Sequence, residues 1–280
     1  MKKSIFIFFL ISGLIGNSQN FKDSIGFKAT YKFTYQKDSM NIDSRQDEIM
    51  WLFIGDQSSL FLSKPRAMKD SLDINSNLAS IGSDPWKQNL SKTKTDFNFK
   101  IYKDRKKDKV YHSIAIMDDK LFYSEPLVLS NWIIQDESKM ISGYKTQKAT
   151  RNFAGRDYTA WFTSEIPIPD GPYKFSGLPG LILEIKDSRN HYNFEFIGFE
   201  KVSPKLPLAI LPQEFQETTK IKLNDIQRKY QEDPIGYMNN YVGNGGAKIT
   251  ITINDGRSKQ QYLKERKEKL AKFNNTIELK

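Results

Sequence analysis

Phe27, Ala29, Tyr31, Phe33 and Tyr35 occupy alternate positions, separated by Lys28, Thr30, Lys32 and Thr34. A period of two marks a half-buried strand, because successive side chains of an extended chain point to opposite faces. The same character returns along the first two-thirds of the chain. Ile49–Ile54 is apolar almost throughout, and Gly55-Asp56 turns it into Ser59–Ser63. Phe97, Phe99 and Ile101 alternate with polar residues and lead to Val110–Met117. The charged run Lys103–Lys109 between them reads as the solvated tip of a hairpin. Asp118-Asp119 turns into Leu121–Ser124, and Trp132–Gln135 precedes Lys145–Asn152. Ala154-Gly155 turns into Arg156–Thr163, and Asp187–Asn190 joins Leu181–Lys186 to His191–Val202. Turn signals about every 8–12 residues predict an antiparallel meander rather than alternating βαβ units.

Helix signals are few. Met68, Leu72, Asn75 and Ala79 sit at helical spacing in a segment crowded with Asp, Ser and Asn. Asn224 as N-cap, Gln227 at the third helical position and Pro234 beyond the end predict a helix from Asp225 to about Glu232. Ser258 with Gln261 repeats that signature and predicts a helix over Lys259–Phe273. Lys248–Ile253 alternates as a strand, Gly243–Gly246 reads as a hairpin turn, and Thr276–Leu279 reads as extended. Ser80–Thr95 and Pro204–Gln213 read as Pro-rich and polar loops, and neither is a domain linker. The fold these readings predict is α+β and β-rich: a curved antiparallel sheet of many strands, with two or three helices packed on it or closing one end. One domain over residues 20–280 follows a segment of a different kind.

That segment is residues 1–19, where Lys2 and Lys3 precede an apolar run from Ile5 to Ile15 and the small or polar Asn17-Ser18-Gln19. A basic flank and about a dozen apolar residues match a cleaved secretory signal better than a membrane span, which needs roughly 20. Cleavage is placed near Gln19–Asn20, with an uncleaved anchor as the alternative. No later segment is apolar over such a length. The expected compartment is outside the cytoplasm, in a periplasm or associated with an outer membrane. With no Cys, the chain has no disulfide, thiolate metal site, Cys nucleophile or lipid-bearing N-terminal Cys, so it is not a lipoprotein. Without Lys2 and Lys3 the formal charge falls from +10 to +8, and its positive residues are scattered or interleaved with acids, as in Lys264–Lys269. That argues against nucleic-acid binding.

Residues 143–187 carry the most distinctive pattern. Gly143-Tyr144, Lys148-Ala149-Thr150, Gly155-Arg156-Asp157-Tyr158 and Ala160-Trp161-Phe162-Thr163 lead into Glu165-Ile166-Pro167-Ile168 and Gly171–Phe175. Gly177-Leu178-Pro179-Gly180-Leu181-Ile182 then opens a buried strand. Pro167, Pro169 and Pro172 fix φ and remove amide donors, so this stretch is not a central strand. Gly177 and Gly180 bracket a tight turn that calls for positive φ at a glycine.

The run Gly177–Ile182 resembles the hexapeptide that names the GLPGLI family of exported bacterial proteins. Gly143-Tyr144 with Lys148-Ala149-Thr150, and Ala160–Ile168, resemble that family's preceding block. Leu52–Ser63 resembles an N-terminal block, and Thr276–Leu279 its Asn-Pro-Ile-Glu-Leu ending. Thr146 stands where members often carry Cys, and Asn275-Thr276 replaces Asn-Pro. The resemblance implies an exported protein without established activity and brings no catalytic residues. The order of the blocks is also distantly similar to lipoprotein-carrier-like proteins, in which a curved sheet wraps an apolar cavity.

Catalytic groups are sparse. His112 and His191 are the only imidazoles, they form no chelating pair, and no Gly-x-Ser-x-Gly elbow is present. Glu165, Asp170 and Glu184 lie near the signature and could form a carboxylate pair. Aromatics on a proline-stiffened backbone lose little entropy on association. The sequence therefore predicts non-catalytic binding or support of an apolar ligand or lipid, or of an outer-membrane protein. Its binding residues would be Trp161, Pro167, Pro172, Tyr173, Phe175, Gly177, Leu178, Pro179 and Gly180, on a lid or rim spanning Pro167–Leu181. No metal ligand and no cofactor is expected. Two alternatives stay open: an envelope hydrolase using a carboxylate pair, and a scaffold whose sheet face is filled by its own side chains.

Overall fold

A computed structural model describes residues 22–75, 84–116, 119–129, 131–209, 214–240 and 256–279. The expected signal segment, the Gly243–Gly246 turn and the Lys248–Ile253 strand lie outside the described residues.

Among the described residues twelve strands form one sheet: β1 (Lys22–Asp38), β2 (Asn41–Gly55), β3 (Ser58–Ser63), β4 (Lys100–Asp104), β5 (Lys109–Ile116), β6 (Asp119–Pro126), β7 (Ile133–Ile141), β8 (Tyr144–Phe153), β9 (Arg156–Thr163), β10 (Leu181–Asp187), β11 (Tyr192–Ala209) and β12 (Gln216–Glu217). Their spatial order is β12-β6-β5-β4-β3-β2-β1-β11-β10-β9-β8-β7. Every pairing is antiparallel except the short β12–β6 contact, which makes the sheet mixed. Among the described residues five helices accompany it, more than the two or three expected: α1 (Lys64–Asn75), α2 (Asp84–Ser91), α3 (Lys220–Glu232), α4 (Pro234–Asn240) and α5 (Lys259–Ala271). None of them is long and apolar enough to cross a membrane.

The alternation in β1 holds. Ala29, Tyr31, Phe33 and Tyr35 are buried, while Phe27, beside a register shift, stays 37% exposed and stacks on Phe199. Ala154 and Gly155 both take positive φ, the two-residue geometry whose twist matches a hairpin.

Three readings are corrected. The Ser80–Thr95 loop contains α2, which begins at Asp84-Pro85, a pair suited to a first turn. Helix α3 starts earlier than expected because Thr219, not Asn224, caps it, its hydroxyl accepting from the Lys222 amide at 3.2 Å. Pro204 and Pro207 lie inside β11, whose outer half pairs with Lys22–Ile25 of β1. The prolines are tolerated because β10 pairs β11 only at Asn193–Glu195, which leaves one edge without a ladder to interrupt.

The curvature of the sheet follows from its contacts. Strands β6 and β8 are nine steps apart in the strand order, roughly 43 Å across a flat sheet at ~4.8 Å per step. Yet Lys174 reaches Tyr123 of β6, and the next residue, Phe175, packs on Phe153 of β8 with ring centroids 5.2 Å apart. Consecutive Cα atoms are only about 3.8 Å apart. The sheet therefore curls until its two flanks meet around one segment. The main core lies inside this curl, from Tyr31 and Phe33 through Phe61 and Phe194 to Tyr158 and Phe162. A smaller cluster seats Leu223 of α3 on Ile114, Ile116 and Tyr123, so α3 closes the β5–β6 flank. A third, around Ile25, Tyr102 and Leu208, includes Phe53 and Leu60, which alternate with the inward Leu52 and Phe61 and so face the other side.

Candidate functional site

The segment inside the curl is the chain from Ser164 to Gly180, which joins β9 to β10 without forming a strand. Its prolines explain the absence of a ladder, and its own turns replace one. The Leu181 amide donates to Ile166 O at 3.0 Å, and the Ile182 amide to Asp170 O at 2.9 Å. Gly177 and Gly180 take φ of +93° and +152°, as their spacing around Leu178-Pro179 predicted. A Cβ on Gly177 would lie 2.1 Å from Leu129 O, and one on Gly180 would lie 1.9 Å from Thr163 O. The turn is thus pressed against neighbouring backbone on both sides.

Two charged knots fix this strap. In the first, Asp170 and Lys103 are each 1% exposed and ion-paired, and Arg105 Nη1 approaches the other Asp170 oxygen at 3.1 Å. Lys103 Nζ also donates to the carbonyls of Gly171, at 2.6 Å, and Phe175, at 3.3 Å. Burial pulls the Lys103 pKa down, against the opposing charge of Asp170. Lys103 is therefore not part of a solvated tip: it points inward, in phase with the buried Ile101, and the turn begins only at Arg105.

In the second knot Lys174 Nζ lies 2.7 Å from Glu278 and pairs with Glu125, while Glu278 also receives Lys220 at 2.6 Å and the Tyr173 hydroxyl at 2.5 Å. Burial alone would raise the Glu278 pKa, but Lys174, Lys220 and Tyr173 outweigh it and hold the carboxyl at about 2. Burial and the Glu278 charge push the Tyr173 phenol well above its ordinary value. His112 stacks on Tyr123 at 5.1 Å, and burial takes its pKa to about 3, so the imidazole is a neutral packing group. The segment Asn275–Leu279 is tied down separately. Arg156 donates to Asp187 at 2.9 Å, to Asn275 Oδ1 and to Thr276 O, and the Leu279 amide donates to Ala154 O at 2.8 Å.

The residues expected to bind do not share one surface. Pro172, Tyr173, Phe175 and Leu178 are buried in the core, Phe175 against Tyr158 at 4.7 Å. Gly180 is buried, Gly177 is half-buried, and Pro167 and Pro179 are exposed. Trp161 is half-buried on the opposite face of β9 from Tyr158, with Lys139 Nζ 4.4 Å from its ring centre. The three candidate carboxylates are likewise separated. Glu165 accepts the Lys145 amide at 2.7 Å, Glu184 pairs with Lys139 at 2.7 Å, and Asp170 is enclosed by Lys103 and Arg105. Thr146 is buried and donates to Lys139 O at 2.7 Å.

Where the two flanks of the curl meet, a cavity of about 260 Å³ opens beside the second knot. Val110, Pro126, Val128 and Phe153 give it apolar walls, and Glu278 and Arg151 reach it. Arg151 is 8% exposed, and its Nε is buried without a hydrogen-bond partner among the described residues. Its guanidinium carbon lies 5.0 Å from the Trp132 ring centre and 5.4 Å from that of Phe153. No group of acidic or imidazole side chains among the described residues is arranged to hold a metal ion. Sequence reading did not single out Lys103, Arg151, Arg156, Lys174 or Glu278. The signal for three of them was phase: Lys103, Arg151 and Arg156 share the inward register of Ile101, Ala149 and Tyr158.

Residues 154–184, which span β9, the strap and the first residues of β10, match a family described as a protein of unknown function (Porph_ging). No curated protein matches the chain. Two solved structures of PNGF-II, in different space groups, are similar to it with TM-scores of 0.50 and 0.52 at 14% and 13% identity. Each covers 74% of this chain, whereas this chain spans only 34% and 33% of theirs. At such identity the likeness is one of fold alone, and it lies with PNGF-II rather than with lipoprotein carriers.

Proposed function

We propose that this chain is an exported cell-envelope protein of the GLPGLI type that binds rather than catalyses. Its ligand would enter at the cavity where the curled sheet's flanks meet, while the strap serves as a fixed internal plug. The observation that carries this reading is the state of the strap's ionisable groups. Asp170 and Lys174 are both buried and both held by partners from distant strands, which ties them into the fold rather than leaving them open to a substrate. The interior of the curl is filled by the protein's own rings, which confines a guest to the mouth. Export rests on the residues before the sheet, and an envelope location on that export.

Native mass spectrometry of the full-length protein isolated from an envelope fraction tests this. The wild type is expected to carry a small-molecule adduct, and Val128→Trp, which fills the mouth from a partly exposed position, is expected to lose it. A wild type without any adduct, or an adduct held equally by the variant, would overturn the reading.

A further inference from the structure

We propose that this cavity takes a small organic anion, an oxyanion group on a short apolar stem, with the Arg151 guanidinium as its seat. The inference deepens the binding reading above and rests on it. Among the described residues Arg151 makes no hydrogen bond or ion pair, although it is 8% exposed and its Nε is fully buried. Arg156, on the neighbouring strand β9 opposite Phe153 and in the same inward register, shows the contrast: it is 4% exposed and surrounded by Asp187, Asn275 and Thr276.

An arginine cannot escape burial by losing its proton, and a largely buried guanidinium is costly while its donors lack partners. Burial does draw its pKa downward, with no neighbouring carboxylate to oppose the effect. The rings of Trp132 and Phe153 soften this penalty and hold the guanidinium in place, but they leave its donors without acceptors. A carboxylate or phosphate supplies what is missing, because the planar fork matches two oxygens at once.

The other charges at the cavity do not compete. Lys174 and Lys220 face it together with Glu125 and Glu278, and these four are bound to one another. Arg151 is the surplus cation. The walls formed by Val110, Pro126, Val128 and Phe153 fit an apolar stem, and about 260 Å³ lies below the ~300–1,000 Å³ of sites for drug-sized ligands.

Isothermal titration of the full chain with hexanoate, phenyl phosphate and neutral hexanol tests the proposal, with Arg151→Met and Arg151→Lys beside the wild type. At least one anion is expected to bind at least tenfold more tightly than hexanol, and the comparison of the two anions separates a carboxylate from a phosphate ligand. Arg151→Met should lose that preference while still taking up hexanol, and Arg151→Lys should fall between, since an ammonium lacks the fork. The melting temperature of Arg151→Met should equal or exceed that of the wild type, because a largely buried cation without an ion pair is gone. Equal binding of hexanol and both anions by the wild type would overturn the anion seat and leave the binding reading standing. Absence of binding by all three would overturn both. Should Arg151→Met fail to fold, the comparison of ligands on the wild type still decides.

Discussion

Glu278 lies 2.7 Å from Lys174, and this contact ties the residues after α5 to the strap between β9 and β10. The same carboxylate accepts Lys220 of α3 and the Tyr173 hydroxyl, so the strap and α3 converge on one half-buried anion. Replacing it by Gln leaves Lys174 with Glu125 as its one carboxylate partner among the described residues. Glu278→Gln is expected to cost about 3 kcal/mol at neutral pH, the lower end for breaking a buried pair.

The pH dependence of that loss has a definite sign. The folded-state pKa of Glu278 is about 2, below its ordinary 4.5, so its stabilisation is complete above 4.5 and is lost as pH falls towards 2. Urea denaturation at intervals across that window should show the wild type losing stability more steeply than Glu278→Gln. Parallel curves would contradict the assignment.

Lys103 and Asp170 offer a double-mutant cycle. Lys103→Met leaves Asp170 buried with Arg105 as its remaining cation and is expected to cost about 3 kcal/mol. Asp170→Asn strands Lys103 and should cost a similar amount. The double variant should be less destabilised than the sum of the two, by more than about 1 kcal/mol. Additive losses, measured by chemical denaturation, would show that the pair does not hold the strap.

Gly143 and Gly180 separate backbone strain from crowding. Both have positive φ, but a Cβ on Gly143 meets nothing within 4 Å, whereas one on Gly180 would sit 1.9 Å from Thr163 O. Gly143→Ala is expected to cost about 1 kcal/mol from conformation alone. Gly180→Ala adds a backbone collision and should cost at least about 3 kcal/mol. Similar melting temperatures for the two variants would refute the tight turn.

Glu48 titrates in the opposite sense. Its pKa is raised, chiefly by burial and further by Asp96, despite hydrogen bonds from Thr95 and Ser63. The folded state therefore holds that proton more tightly than the unfolded chain, and stability declines as pH rises through the folded pKa. Glu48→Gln should raise the melting temperature at pH 8 and have little effect at pH 4. A uniform shift at both values would rule this out.

The sequence alone determined the elements: the alternation in β1, the Ala154-Gly155 hairpin, the Ser258 cap of α5, and the need for glycine at 177 and 180. Each follows from short-range sterics and local hydrogen bonds, and both are legible over a few neighbouring residues. It also held the inward phase of Lys103, Arg151 and Arg156, although the charge on those residues masked it. What only the tertiary structure decided is where those charges find partners. Lys103 meets Asp170, Lys174 meets Glu278, and Arg151 meets no acceptor among the described residues, because the sheet curls until strands distant in its order share one interior. Curvature accumulates over many strand pairs, and no local stretch of sequence encodes it. The same curl carries Phe175 inward with the strap, whereas strand alternation sends Trp161 to the opposite face, so residues neighbouring in the motif do not become neighbours in a site.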